Sequence, residues 1–269
     1  MVNNVNCLDM LKRLLLKLWL QTWFYFISGI QVVIYFPFLV IILTLPKAYT
    51  KLFWIARNIW ARITLHGSGY YVSVENKEKL ESETNCLIIA NHSSHMDVFL
   101  MLIANKKPFM FVGKKELYSI PLFGYIYKRA AIMVDRSDPK SRFEVYGKAN
   151  EMLKRGYNVC IFPESHYMDD TILLADFKRG AFKIAIDNNL PIIPLVFYDL
   201  KLKHPWYPMF GSLGKLRVKV LDKISVEGLK EKDIPSLTKK AYNKIKSELE
   251  NDPKQAAVKA TNNWKKILS

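Results

Sequence analysis

From Leu18 to Pro46 the chain reads LWLQTWFYFISGIQVVIYFPFLVIILTLP and carries no charged residue. This run constrains the fold more than any other feature, because ~20 apolar residues suffice for a helix to cross a bilayer and the run is longer than that. Its apolar part is too long for a signal peptide, and no small-residue cleavage site follows it. Trp19, Trp23, Phe24, Tyr25 and Phe26 cluster at one end, as in an interfacial aromatic belt. Pro37 sits inside the run, where it is expected to break or kink a helix. Both flanks are basic, with Lys12, Arg13 and Lys17 before and Lys47, Lys51, Arg57 and Arg62 after, so flanking charge sets no orientation. One transmembrane span fits, and so do two short helices dipping into one leaflet. A buried core helix pair is the alternative. Leu52 to Leu65 repeats apolar residues at helical spacing around Arg57 and Arg62. That pattern fits an amphipathic helix in a membrane interface or a helix packed on a neighbouring domain.

Half of the 269 residues are hydrophobic, enough for a substantial core, and the formal net charge is +16. A charge of that sign attracts phosphate, whether in nucleic acid, anionic lipid or a phosphorylated substrate, and does not choose among them. Cys7, Cys86 and Cys160 are scattered and odd in number, which argues against a disulfide framework and for a reducing compartment.

From about residue 70 onward, short apolar runs alternate with helical patterns. Strands are expected over 70–74, 86–90, 108–113, 130–134, 158–163 and 191–198. A further strand over 215–224 alternates apolar and charged residues, which suits a half-exposed position. Helices are expected over 98–105, 141–154 and 179–188. The fold class is therefore α/β, a mixed, mainly parallel sheet flanked by helices, with an N-terminal membrane-associated helical segment. Three regions follow: 1–66 membrane-associated and helical, 67–251 catalytic, and 252–269 a basic tail, loosely ordered or a frayed surface helix.

In such sheets active sites gather beyond the carboxyl ends of strands. Two unusual polar stretches, NHSSHMD (91–97) and PESHYMDD (163–170), directly follow apolar strands. In the first, His92 can act as a general base if a carboxylate holds its other ring nitrogen, and Asp97 is five residues on. A continuous helix would turn these two ~140° apart. They meet if His92 lies in the strand-to-helix turn and Asp97 in the first helical turn. Three other readings share these residues. Asn91, Ser93 or Ser94 caps the next helix; a serine is the nucleophile of a hydrolase, although G-x-S-x-G is absent; or His92, His95 and Asp97 hold a metal.

The sequence resembles the glycerophospholipid acyltransferase family, whose best-known members are the lysophosphatidate acyltransferases. Four blocks match in order. Asn91 to Asp97 resembles the family's N-H-x-S-x-x-D. Lys114-Lys115-Glu116-Leu117, Pro121, Gly124 and Ile132 to Arg136 form the second block. Ile161-Phe162-Pro163-Glu164 and Phe177 to Phe182 form the third, and Leu190-Pro191-Ile192-Ile193-Pro194 the fourth. The match spans about 70–200. The resemblance implies transfer of a fatty acyl group from acyl-CoA or acyl carrier protein to the free hydroxyl of a lysophospholipid. The first acceptor to expect is 1-acylglycerol 3-phosphate, giving phosphatidic acid, with no metal or redox cofactor. It implies that His92 deprotonates the acceptor, Asp97 orients His92, Arg136 binds the acceptor phosphate, Glu164 lies at the acceptor site, and Pro191 and Pro194 shape the pocket. The family's third block continues Glu-Gly-Thr-Arg, whereas this chain has Glu164-Ser165-His166-Tyr167. With that Arg missing, Lys178 or Arg179 is expected to join Arg136 on the phosphate, at the start of the helix that follows.

The partners expected are thus a lysophospholipid, an acyl thioester carrier and an anionic membrane surface, with the catalytic domain on the cytoplasmic side and no nucleic acid. A different lysolipid acceptor and thioester hydrolysis remain as alternatives. A basic nucleic-acid-binding protein is favoured only by charge, and no nucleic-acid motif accompanies it.

Overall fold

The computed structural model describes residues 7–135, 138–164, 169–206 and 210–268. The apolar run is one arm of a helical hairpin. Helix α1 (Cys7–Lys17), a π-helical turn (Leu18–Trp23) and α2 (Phe24–Leu43) follow one another. The helix runs through Pro37, and the break falls instead at Thr44 to Lys47, where Pro46 lies and Lys47 takes a positive φ of 56°. Packing explains the difference: on either side of Pro37, Phe36 and Leu39 pack against a cluster containing Leu52 and Ile126, which holds the helix despite the missing N–H. The return arm comprises α3 (Ala48–Ile55), a second π turn (Ala56–Trp60) and α4 (Ala61–Gly67).

The arms are stitched by polar groups. Gln31 Nε2 donates to Thr64 Oγ1 at 3.0 Å, Trp60 Nε1 to Ser28 O at 3.0 Å and Trp23 Nε1 to Gly67 O at 2.8 Å. Trp19 and Trp23, which read as a membrane belt, therefore also lock the hairpin. The return arm packs on the sheet domain through Ala61 and Leu65, and Arg57 donates to Asn105 O at 2.6 Å. The first arm stays bare. Met10–Leu43 is long and apolar enough to cross a membrane, and only 11% of its most apolar window is buried. Val33, Ile34, Phe38 and Ile41 are all more than half exposed, so this is no buried core helix pair.

The remaining chain forms a seven-stranded sheet in the order β1-β7-β6-β2-β5-β3-β4. The strands are β1 (Tyr70–Glu75), β2 (Leu87–Ala90), β3 (Phe109–Lys114), β4 (Ala131–Val134), β5 (Asn158–Ile161), β6 (Ile192–Phe197) and β7 (Gly214–Val220). All pairings are parallel except β6 with β7. Helices α5 (Lys77–Glu81), α6 (Asp97–Ala104), α7 (Phe123–Ala130), α8 (Pro139–Lys154), α9 (Gly180–Asp187), α10 (Leu200–Lys203), α11 (Ile234–Glu250) and α12 (Ala256–Leu268) complete the fold. This is the expected mixed, mainly parallel α/β architecture. Strand β2 lies at its centre and alternates between two cores. Leu87 and Ile89 face the cluster holding Phe182 and Ile245, while Ile88 and Ala90 face the cluster holding Leu65 and Phe99. A strand buried on both faces reads as an unbroken apolar run, which is why CLIIA was legible.

Two expectations need correction. Strand β7 is interior, not half-exposed: it lies between β1 and β6, and Arg217 on it is only 9% exposed. Residues 252–268 are not a loose tail, because α12 buries Ala256, Ala260 and Trp264. Both corrections share one cause. Arg217 pairs with Asp199 at 2.7 Å and with Asp252 at 2.6 Å, tying β7 to the start of α10 and to the turn before α12. Removing one member of such a buried network strands the others, at a cost of about 3–5 kcal/mol. Arg217→Leu is therefore expected to lower unfolding stability by about that amount in chemical denaturation. A change below about 1 kcal/mol, the range of exposed pairs, would mean that the triad does not hold these elements together.

Candidate active site

Strands β5, β2 and β6 are neighbours and parallel, so their carboxyl ends open on one edge of the sheet. Each delivers a polar residue there: Glu164 after β5, His92 after β2 and Lys201 after β6. All three line one small polar cleft, together with Asn91, Ser93, Asp169, Asp170 and Ala257 of α12.

His92 leaves β2 in the turn that leads to α6, and Asp97 is the first residue of that helix. The two meet as the spacing required. His92 Nδ1 lies 2.9 Å from Asp97 Oδ2. An ionised carboxylate only accepts, so Nδ1 carries the proton and the lone pair is at Nε2. The same Oδ2 accepts the backbone N–H groups of Ser93 at 2.6 Å and Ser94 at 2.8 Å. Asp97 is fully buried, and the plane of the imidazole stacks on Phe162 with ring centroids 4.1 Å apart. The ring is thus fixed in both tautomer and orientation.

Glu164 sits in this cleft, where the resemblance put it, but as a clamp. Its Oε1 accepts from His92 N at 2.7 Å and its Oε2 from Ala175 N at 2.7 Å. Burial pushes its carboxyl up to about 7, against the pull of those two N–H donors and of Lys201.

The serine and metal readings lose their geometry. Ser93 Oγ is buried without a hydrogen-bond partner among the described residues, and Ser94 Oγ accepts from Met96 N at 3.2 Å. His95 turns to the hairpin, stacked on Trp206 and edge-on to Tyr25, and burial pushes its pKa down to about 3. No cluster able to hold a metal occurs among the described residues.

The other expected residues scatter. Arg136 lies outside the described residues, as does Tyr167. Arg179, next to the start of α9, is exposed and pairs with Glu231 at 3.1 Å, lining a separate cleft with Lys232 and Tyr242. Lys178 is exposed and does not line the His92 cleft. Phe177, just before them, is buried in the core. Pro191 and Pro194 line none of the three clefts described. Pro191 precedes the amino end of β6, and its carbonyl accepts from Leu87 N at 3.0 Å. Pro194 lies within β6, where the register against β7 slips from Leu195↔Val220 to Ile192↔Ile224. That bulge accommodates a residue with no N–H to give. Sequence reading missed Lys201, although the rule that found NHSSHMD, a polar residue just past a buried strand, also applies to it.

Beside the cleft, an apolar cavity of about 150 Å³ lies between the hairpin and the sheet domain, lined by Tyr35, Leu39, Leu52, Phe111, Phe123 and Val98 among others. Val98 follows Asp97, and Phe111 stacks on Phe162, itself stacked on His92.

The raised carboxyl of Glu164 has a consequence for stability. The unfolded chain loses this proton near pH 4.5 and the folded chain near pH 7. Between those values the folded state holds more protons, so this group makes stability fall as pH rises through the window. Glu164→Gln is expected to flatten that fall in thermal unfolding between about pH 5 and about pH 8. An identical slope in the variant would remove Glu164 as its source.

Residues 71–198 match the acyltransferase family. The chloroplastic 1-acyl-sn-glycerol-3-phosphate acyltransferase of Arabidopsis thaliana is 30% identical over 140 residues, covering 51% of this chain and 38% of the relative. The human 1-acyl-sn-glycerol-3-phosphate acyltransferase beta is 28% identical over 171 residues, 63% of this chain and 61% of that protein. The chain thus spans less than two thirds of either relative. The crystal structure of the 1-acyl-sn-glycerophosphate acyltransferase from Thermotoga maritima superposes with a TM-score of 0.71 at 22% identity, over 90% of this chain and 98% of that one, and so shares the fold. The ordered blocks and the His92–Asp97 pair lie within the segment 71–198, and through that segment the chain is similar to the acyltransferase family.

Proposed function

We propose that the protein transfers a fatty acyl group from an acyl thioester to the free hydroxyl of a lysophospholipid, 1-acylglycerol 3-phosphate being the acceptor that its relatives' names point to. The observation that carries this reading is His92, held by Asp97 with its lone pair at Nε2 and facing a cleft beside an apolar cavity. His92 takes the proton of the acceptor hydroxyl as its oxygen attacks the thioester carbonyl. The new C–O bond forms, the C–S bond breaks, and the proton passes from the imidazolium to the departing thiolate. Asp97 stabilises the imidazolium in between. Donor, acceptor and base complete this chemistry, so no metal or redox cofactor takes part. The donor's carrier is coenzyme A or acyl carrier protein. The apolar cavity suits a fatty chain whose carboxyl end reaches His92 past Phe162 and Phe111.

The site then works at a membrane. The bare face of α2 enters the apolar layer and the basic surface meets anionic head groups, on the cytoplasmic leaflet where acyl thioesters are made. Because the hairpin covers part of the core, its deletion would expose Phe99, on which Phe24 and Trp60 pack. Substitutions on the bare face test the contact more cleanly. Ile34→Glu/Phe38→Glu/Ile41→Glu is expected to abolish most sedimentation with neutral liposomes while leaving the melting temperature near that of wild type. Undiminished binding would show that this face does not meet the membrane.

The activity is tested by mass spectrometry of the lipids formed when purified protein is offered a panel of lysophospholipids and an acyl thioester. Diacyl product from lysophosphatidate is expected, with about 10³-fold or greater loss in His92→Ala. A folded His92→Ala variant with near wild-type turnover contradicts the mechanism. Release of free fatty acid with no lipid product would make the protein a thioester hydrolase.

A further inference from the structure

The acceptor's own covalent structure limits where its phosphate can sit. In a 1-acylglycerol 3-phosphate the reacting oxygen and the phosphorus are separated by the bonds O–C–C–O–P, which at about 1.5 Å per bond puts them roughly 5 Å apart at most. The oxygen must come within about 3 Å of His92 Nε2 to lose its proton. The phosphate therefore shares the His92 cleft or its immediate rim. Lys178 and Arg179 do not line that cleft, and the third sequence block holds Tyr167 where the family pattern has an arginine. Among the described residues that line it, Lys201 carries the cation.

We propose that the Lys201 ammonium receives the acceptor phosphate; this rests on the acyl-transfer reading and supplies its missing contact. Lys201 stands on α10 at the carboxyl end of β6, the strand beside β2, and is only 6% exposed. Its Nζ donates to the carbonyl of Ile172, which lines the same cleft. An ammonium has three donors, so a carbonyl partner leaves capacity for a phosphate. No carboxylate of the described residues lies within ion-pair distance of Nζ, although Asp170, Glu164 and Asp169 are near enough to support its charge against burial. Asp169 spends Oδ1 on Thr171, and burial raises the Asp170 carboxyl. The site thus holds a buried amine beside the catalytic imidazole without a committed counter-ion.

Both a phosphomonoester and a phosphodiester head group present this chemistry, so the experiment uses each. Full-length protein in neutral phospholipid vesicles is assayed with lysophosphatidate, with a lysophosphatidylethanolamine and with monoacylglycerol, which has no phosphate. Lys201→Met is expected to raise KM for the phosphate-bearing acceptor at least tenfold, with donor KM within twofold of wild type and a much smaller loss on monoacylglycerol. Lys201→Arg should recover most of the loss. Asp170→Asn should lower KM for lysophosphatidate by removing a repelling carboxylate. If it instead raises KM for the ethanolamine lipid alone, Lys201 still grips the phosphate while Asp170 holds the ammonium of a diester acceptor. An unchanged acceptor KM in Lys201→Met overturns the assignment, as does an equal loss on monoacylglycerol, which marks a structural role. If Lys201→Met does not fold, Lys201→Gln carries the same comparison. Absence of transfer to every acceptor by wild-type protein would instead overturn the functional reading itself.

Discussion

The backbone that leaves β2 must find hydrogen-bond partners away from the sheet, and that requirement shapes the site. A parallel strand buried on both faces cannot turn back on itself, so each N–H just past Ala90 needs a partner from elsewhere. The polar residues of the motif meet most of that need. Asn91 pairs with Phe197 through both its donor and its acceptor, at 2.9 and 2.8 Å, fastening the end of β2 to β6. Glu164 takes the N–H of His92, Asp97 takes those of Ser93 and Ser94, and Ser94 Oγ takes that of Met96. Once the turn is closed in this way, the Asp97 carboxylate is already beside the imidazole. The His92–Asp97 pair and the fold of the turn are one set of bonds.

The same economy joins the site to the rest of the molecule. Glu164 reaches across to Ala175 and Lys201 to Ile172, so two side chains from flanking strands hold the wall of the cleft. The Arg217 triad fixes the start of α10, which carries Lys201, and seats α12, whose Ala257 also lines the cleft. On the opposite side the hairpin docks through Phe24 on Phe99 and His204, and through Tyr25 on His95. The segment that meets the membrane in our account is therefore in contact with the loop that holds the base.

The centre of the sheet was legible in the sequence because β2, β5 and β6 are buried on both faces and read as unbroken apolar runs. The His92–Asp97 pair was legible because five residues separate them across a strand-to-helix turn. What escaped depends on contacts distant in sequence. Arg217 looks like one charge of an alternating strand until Asp199 and Asp252 are brought to it. The C-terminal helix looks like a basic tail because its buried side is mostly alanine, with Trp264 as its one large apolar residue. Pro37 reads as a helix breaker, yet packing against the return arm carries the helix through it. Lys178 and Arg179 follow the third block closely, but both are exposed and do not line the His92 cleft, whereas Lys201 arrives from the next strand.

The central claim is that Asp97 acts through His92, and a double-mutant cycle tests it most directly. kcat/KM for acyl transfer is measured for wild type, His92→Ala, Asp97→Asn and the double variant, each shown to be folded by its melting temperature. If the two side chains work as one unit, the double variant should be no slower than His92→Ala alone. Losses that multiply in the double variant would show that Asp97 contributes independently of the imidazole and would contradict the account.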